Sequence, residues 1–154
     1  MNIIYMEDTG SALYKIRELE EYEGHIIYNS DRFEDLKYWM EVKPGASKIG
    51  AIIVDLIFED PPKKEDVECL NLTTPYNRKE HPSLGLHVIK YYLLKKFPHF
   101  EKRIILCSAY LEHFGKMPEY KADMKKLQTI DKNSPSLNSD LIHMLKRIET
   151  KYGH

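Results

Sequence analysis

Short apolar runs alternate with longer amphipathic stretches along most of the chain. Five runs are brief, rich in β-branched residues and nearly continuous, which is typical of strands that are covered on both faces. They are Ile3–Met6, His25–Tyr28, Ala51–Val54, Ile104–Cys107 and the more polar Leu127–Ile130. Because alternation of such runs with helices indicates βαβ units, the pattern predicts a parallel five-stranded sheet.

The stretches between these runs carry apolar residues at helical spacing. Between Ala109 and Met124 the spacing is interrupted by Gly115 and Pro118, which predicts a short or broken helix there. Asp31 is expected to cap the second helix. The other predicted helices are Ser11–Tyr22, Asp31–Val42, Leu84–Phe97 and Ser136–Tyr152. Together the elements predict an α/β protein, a (βα)5 three-layer sandwich.

The stretch from Glu59 to Ser83 does not follow this alternation. Prolines and charges dominate it and no period is sustained, so it is predicted to be a long loop inserted into a single domain that spans residues 1–154. Loops of this length are usually functional or mobile. Because the insertion follows the strand that ends before Asp55, it is either a gating or partner-recognition element at that edge or a disordered excursion.

Composition and charge narrow the class of protein. The 154 residues suit one domain, and 42% hydrophobic and 31% charged residues are ordinary for a soluble folded chain. The net charge of −1, with no Lys/Arg run longer than two, argues against direct nucleic-acid or membrane binding. No secretory signal and no apolar span of roughly 20 residues is present. Two cysteines, Cys69 and Cys107, indicate a reducing, cytoplasmic compartment.

Reactive side chains stand where the predicted strands end, and in open parallel sheets ligands bind at those ends. Glu7 and Asp8 follow strand one, Asp55 follows strand three, Ser108 follows strand four, and Lys132 follows strand five. Clustered carboxylates suit Mg²⁺, which takes oxygen ligands together with phosphate oxygens. A carboxylate can also act as the nucleophile in aspartyl-phosphate chemistry, and a fixed lysine stabilises the transferring phosphoryl group.

This order of residues resembles the receiver domains of response regulators, the CheY-like superfamily. The family has an acidic pair after strand one, an Asp after strand three, Ser/Thr-Ala after strand four and a Lys after strand five. The resemblance implies the flavodoxin-like strand order 2-1-3-4-5, with Asp55 as phosphoacceptor and Glu7, Asp8 and Asp55 as magnesium ligands. It also implies Ser108 as the switch hydroxyl and Lys132 as the phosphate-contacting lysine.

The resemblance also implies a function. It implies a module of a two-component or phosphorelay system that assists its own phosphoryl transfer and dephosphorylation and is not classed as an enzyme. A sensor histidine kinase or phosphotransfer protein would be the donor, and a downstream protein would be the target. A homodimer is a further assembly that the resemblance allows.

Three features depart from the family pattern. Asn133-Ser134 separate Lys132 from Pro135, whereas the family usually has proline directly after the lysine. Thr129 stands where the family has the aromatic residue that moves inward on activation. Tyr110 or Tyr120 could take that role. The third loop is also greatly extended before Gly85, which matches the family's early glycine of helix three.

Other functions stay open at this point. The departures favour a degenerate receiver-like scaffold that phosphorylation does not switch. A magnesium-dependent phosphatase with an aspartyl nucleophile would need a second Asp two residues after Asp55, where the chain has Ile57. A flavin-binding protein is suggested only by Thr9-Gly10-Ser11, and the neighbouring acids would repel its phosphate.

Overall fold

Five parallel strands form one sheet in the order β2-β1-β3-β4-β5, as predicted. The computed structural model describes residues 1–8, 24–58 and 60–153. The strands are β1 Asn2–Met6, β2 Ile26–Ser30, β3 Ile49–Val54, β4 Ile104–Ser108 and β5 Gln128–Asp131. Each lies within a few residues of its predicted position.

Helices cover both faces of the sheet within the described residues. They are α1 Phe33–Glu41, α2 Lys64–Cys69, α3 from Leu84–Val88 through a π-helical Ile89–Leu93 to Leu94–Lys96, α4 Leu111–Gly115, α5 Pro118–Met124 and α6 Leu137–Tyr152, with 3-10 turns at Ala46–Lys48 and Pro98–Arg103. The predicted break between α4 and α5 is confirmed. The predicted helix Ser11–Tyr22 lies outside the described residues. None of the described helices is both long and apolar enough to cross a membrane.

Alternation along the strands divides the core into two layers, because successive side chains point to opposite faces of a sheet. Ile4 and Ile52, which are paired in register, belong to the layer that packs against α1 to α5. Ile3 and Ile53 belong to the layer that packs against α6, through residues such as Leu145. Burial on both faces explains why β3 reads as a continuous apolar run.

The segment after β3 is not the plain loop that its sequence predicted. Lys64–Cys69 forms the short helix α2, and Val67, Leu70 and Leu72 join the first core layer. Lys37 Nζ on α1 lies 2.5 Å from Asp66 Oδ1, and Asp66 is buried. The expectation of a long loop is therefore wrong for Lys64–Cys69, and this part of the insertion has its own contacts with the core. Glu59 lies outside the described residues.

The two ends of the insertion lie close together, because residues at its C-terminal end and just after it are hydrogen-bonded to the backbone just after β3. The Ser83 hydroxyl donates to the Leu56 carbonyl (3.1 Å) and accepts from the Leu86 amide (3.3 Å), so it also caps α3. The Gly85 amide donates to the same Leu56 carbonyl at 3.1 Å. A Cβ on Gly85 would lie 1.9 Å from the Asp55 carbonyl oxygen. Glycine is therefore required where α3 crosses the end of β3.

A second sequence expectation is wrong at α1. Asp31 does not occupy the N-cap position, which belongs to Arg32 in an extended conformation without a capping hydrogen bond from its side chain. The helix begins at Phe33, a buried residue whose ring packs edge-on against Tyr92. The first turn of α1 is therefore held by a packed aromatic pair and has no side-chain cap.

The Gly85→Ala variant is expected to lose about 3 kcal/mol of unfolding free energy, the upper end of the usual cost of overpacking. The added methyl group would meet rigid backbone at Asp55 and could not be accommodated by rotamer changes. Urea unfolding measures the loss. Gly115→Ala is the matched control, because a Cβ there meets nothing within 4 Å. Equal stability of the two variants would contradict the close approach.

The Leu70→Ala variant is expected to lose about 2–5 kcal/mol, the usual cost of a large-to-small change in a core. Leu70 is fully buried although it lies in the insertion. The control is Val42→Ala, because the Val42 side chain is 65% exposed and its truncation should change stability by less than about 0.5 kcal/mol. Thermal or urea unfolding reports both. A disordered insertion would instead make Leu70→Ala as mild as the control.

Candidate functional site

Three of the five predicted site residues meet at the carboxyl edge of the sheet. Lys132 Nζ donates to Asp55 Oδ2 at 2.7 Å and also to Glu7 Oε1. Glu7 is 1% exposed and Asp55 is 7% exposed, so both carboxylates are nearly out of water. One ammonium group thus joins residues that follow β1, β3 and β5, as the strand-end argument predicts.

Backbone hydrogen bonds hold the two carboxylates in place. The Glu7 amide donates to the Ser30 carbonyl (2.9 Å), and the Asp55 amide donates to the Met6 carbonyl (3.0 Å). These bonds continue the strand ladders past the last strand residues. The Leu56 amide donates to Asp55 Oδ1 at 2.7 Å. Asp55 therefore offers one oxygen to Lys132 and the other to its own following amide.

An aspartate turns the loop that carries Lys132, where the receiver family usually has proline. Asp131 Oδ1 accepts from the Asn133 amide (2.8 Å), and the Asp131 carbonyl accepts from the Ser134 amide (3.1 Å). Aspartate side chains commonly form such turns with an amide two residues on. The Lys132 amide donates to the Ser108 carbonyl at 3.2 Å. Lys132 is therefore held by its backbone without the family proline.

The site has more negative than positive charge. Two carboxylates share one ammonium group, and Asp8 directly follows Glu7. Burial lowers the pKa of Lys132, but its hydrogen bonds to Asp55 and Glu7 and their charges outweigh this and hold the pKa above its ordinary value of 10.5. Lys132 is therefore charged at neutral pH.

Tyr5 and Cys107 lie near the site and were missed by the sequence reasoning. Burial, followed by the charges nearby, raises the pKa of the Tyr5 hydroxyl, and it raises the pKa of the Cys107 thiol to about 12. Both groups are therefore neutral at physiological pH, and Cys107 is not a reactive thiolate. The period-2 alternation of β1 puts Tyr5 on the same face as Glu7, which was the available signal.

Ser108 is at the expected strand end but makes no hydrogen bond to the three charged groups. It is fully buried, and its hydroxyl accepts from the Tyr110 amide at 3.1 Å. Tyr110 itself is 52% exposed, and Thr129 is exposed on β5. Tyr120 is buried, and its hydroxyl accepts from the Ser83 amide at 3.5 Å. The two tyrosines thus occupy different environments on either side of α4.

In the described part of the chain, no group of three or more His, Cys, Asp or Glu side chains is arranged to hold a metal ion. Two of the predicted ligands nevertheless already converge on one cation, because Glu7 and Asp55 both accept from Lys132. Carboxylate oxygens are the ligands that hard divalent cations prefer. The donor chemistry at this edge therefore fits magnesium.

The Lys132→Met variant is expected to lose roughly 3 kcal/mol at neutral pH, because it leaves two buried carboxylates without their counter-charge. Lys132 contributes stability fully below its unfolded-state pKa of about 10.4, and the contribution is lost as pH rises through the raised folded-state pKa. The free-energy difference between wild type and variant should therefore narrow above about pH 10.4. Urea unfolding across pH measures it.

The control for this variant is Lys116→Met. Lys116 pairs with Glu112 at 3.0 Å, but the two side chains are 74% and 87% exposed. Such a surface pair contributes about 0–1 kcal/mol. If Lys132→Met proved no more costly than Lys116→Met, the buried pairing would be contradicted.

Neither models of known protein families nor curated protein sequences match the chain. Solved structures of receiver domains do match the chain. The non-phosphorylated receiver domain of the stress response regulator RcsB from Escherichia coli is 17% identical, with a TM-score of 0.60 over 98% of this chain and 94% of its own. The Francisella response regulator 1452 receiver domain is 13% identical, with a TM-score of 0.60 over 97% of both chains.

A third match is the Salmonella typhimurium RcsB response regulator, with 20% identity and a TM-score of 0.62. It covers 98% of this chain, which spans only 60% of the length of that structure. At these identities the matches establish architecture. The chain therefore has the fold of a response-regulator receiver domain.

Proposed function

We propose that this chain is a receiver domain of a two-component or phosphorelay system and accepts a phosphoryl group on Asp55. The observation that carries the proposal is the contact of the Lys132 ammonium group with the Asp55 carboxylate at the carboxyl edge of the sheet. A nucleophilic carboxylate and a fixed cation are the two groups that phosphoryl transfer to a side chain needs.

The step itself follows from this pair. An oxygen of the Asp55 carboxylate attacks the phosphorus atom of the donor, and the bond from phosphorus to the donor's leaving atom breaks with its electrons. Negative charge grows on the phosphoryl oxygens as they approach the carboxylate. The Lys132 ammonium group, held by its backbone and already beside Asp55, stabilises that charge without having to move far.

Glu7, Asp8 and Asp55 are the residues that would hold magnesium. Bound magnesium would supply positive charge for the phosphoryl oxygens and for the surplus of carboxylates. The Glu7 carboxylate, which is buried and accepts from Lys132, keeps that lysine close to the edge.

Ser108 would report the state of Asp55 to the helices. Its hydroxyl accepts from the Tyr110 amide, so its own proton is available to a phosphoryl oxygen at the neighbouring strand end. Tyr110 immediately precedes α4. A shift of Ser108 toward the phosphoryl group would therefore move the start of α4. This movement would replace the inward movement of the aromatic residue that receiver domains have at the position of Thr129.

The partners would be proteins. A sensor histidine kinase or a phosphotransfer protein would supply the phosphoryl group, and a downstream protein would read the altered surface. The degenerate scaffold is the second candidate, and the exposed Thr129 on β5 favours it because no aromatic side chain can move inward there. The two candidates differ in whether Asp55 reacts.

Incubation with acetyl phosphate and magnesium chloride, followed by intact mass measurement, tests the proposal. Wild type should gain the mass of one phosphoryl group, and Asp55→Asn should gain none because the amide is not a nucleophile. Lys132→Met should gain it much more slowly, by about 10²-fold or more, since removal of one electrostatic donor typically costs that much.

The matched control is Asp60→Asn, because the Asp60 side chain is 66% exposed and pairs with Arg32 at 4.0 Å. It should be phosphorylated like wild type. A phosphoryl group that persists on Asp55→Asn would place the acceptor elsewhere. Absence of any adduct on folded wild type would leave the scaffold as the function.

A further inference from the structure

A second site is built where the insertion meets α3 and α5. The three elements line a cavity of about 320 Å³ that opens to solvent, and neither Asp55 nor Lys132 lines it. The insertion contributes His81, α3 contributes His87 and Tyr91, and α5 contributes Tyr120. The insertion therefore forms one wall of this cavity, and α3 and α5 form the others.

Aromatic and imidazole rings form the wall of this cavity. His87 is 8% exposed, and its ring centroid lies 5.1 Å from that of His81, 5.6 Å from Tyr91 and 6.1 Å from Tyr120. Faces of aromatic rings attract cations through the ring quadrupole. Four clustered rings thus make a wall that suits a flat or compact positive group.

The charges around the rings also favour a cation. Three acidic side chains, Glu80, Glu119 and Asp123, line the cavity against one basic side chain, Lys90. Lys90 Nζ donates to Asp123 Oδ2 (3.2 Å) and lies 5.5 Å from the Tyr91 ring centroid. An ammonium group is therefore already bound by a ring and a carboxylate of this wall. Glu119 makes no ion pair with any described residue.

His87 provides a buried acceptor. Its Nδ1 lies 3.0 Å from the Leu70 carbonyl oxygen, so Nδ1 carries the proton and Nε2 has the lone pair. Burial lowers the pKa of His87, which keeps the ring neutral. Nε2 accepts no hydrogen bond from the described residues. A ligand with an N–H group would satisfy it.

We propose that this cavity binds a guanidinium or alkylammonium group. The N–H groups of the ligand would donate to His87 Nε2, its charge would face Glu119, and its flat or apolar part would lie on Tyr91. The group could be carried by an arginine or lysine side chain of a partner protein or by a small free amine.

The proposal is independent of phosphoryl transfer at Asp55, because none of the three charged residues at the sheet edge takes part. Its test is an NMR titration of the full chain with acetyl-arginine-methylamide, which presents an arginine side chain without free termini. Acetyl-citrulline-methylamide is the matched probe, since it has the same shape but no charge. Arginine should give saturable shifts at His87, Tyr91 and Tyr120, whereas citrulline should give none at the same concentrations.

Two variants locate the binding. Glu119→Gln and Tyr91→Leu should each weaken arginine binding about 3- to 10-fold, the range expected for loss of one charge or one cation–π contact. Glu112→Gln, which changes an exposed glutamate on α4 that does not line the cavity, should leave it unchanged. Butylammonium chloride and acetyl-lysine-methylamide, which share the alkylammonium group, separate the two sources: tighter binding of butylammonium points to a small free amine, and tighter binding of the lysine or arginine probe points to a protein side chain.

The proposal is overturned by any of three results. Citrulline could bind as tightly as arginine, which would show that charge is not recognised. Glu119→Gln and Tyr91→Leu could both bind with wild-type affinity while retaining the wild-type amide spectrum, which would place the site elsewhere. Finally, all of the cationic probes could fail to produce saturable shifts at the lining residues.

Discussion

Lys132 forms the interaction on which the arrangement of the sheet edge depends. A parallel sheet brings the ends of β1, β3 and β5 to one side, and there it collects carboxylates that repel each other when buried. The ammonium group of Lys132 offsets that repulsion by contacting Glu7 and Asp55 together. Folding of the edge and its chemistry thus rely on the same cation, because the group that stabilises the carboxylates would also stabilise an incoming phosphoryl group.

The strand order and the residues at the sheet edge could be predicted from the sequence, because the topology of a parallel sheet constrains both. Once five apolar runs are assigned to parallel strands, Asp55 and Lys132 must fall at the same edge, whatever their side chains do. The details were harder to predict because they depend on local competition. Arg32 rather than Asp31 occupies the N-cap of α1, and Asp131 replaces the family proline in turning the loop after β5. The N-cap of α1 makes no side-chain hydrogen bond, whereas the loop after β5 is turned by one from the Asn133 amide to Asp131, and hydrophobic periodicity reports neither.

The insertion shows a different limit of sequence reasoning. Helix α2 has only six residues, too few for a period, and prolines and charges surround its apolar side chains. The helix is held in place by contacts with other elements. Asp66 forms an ion pair with Lys37 of α1, and the Leu70 carbonyl accepts a hydrogen bond from His87 of α3. Ser83 and Gly85 then close the excursion against the backbone at Asp55 and Leu56. The insertion therefore adds a packed surface to the receiver fold, and it does not disturb the contacts of Lys132 with Glu7 and Asp55 at the sheet edge.

We propose that Asp55 and Lys132 act together on a phosphoryl group. A crystal structure of the chain with beryllofluoride and magnesium, a stable mimic of the acyl phosphate, tests it most directly. Beryllium should be bound to an Asp55 carboxylate oxygen, with Lys132 Nζ in contact with a fluoride. Beryllofluoride bound elsewhere, or an Asp55 carboxylate that remains unmodified beside Lys132 at saturating beryllofluoride, would contradict it.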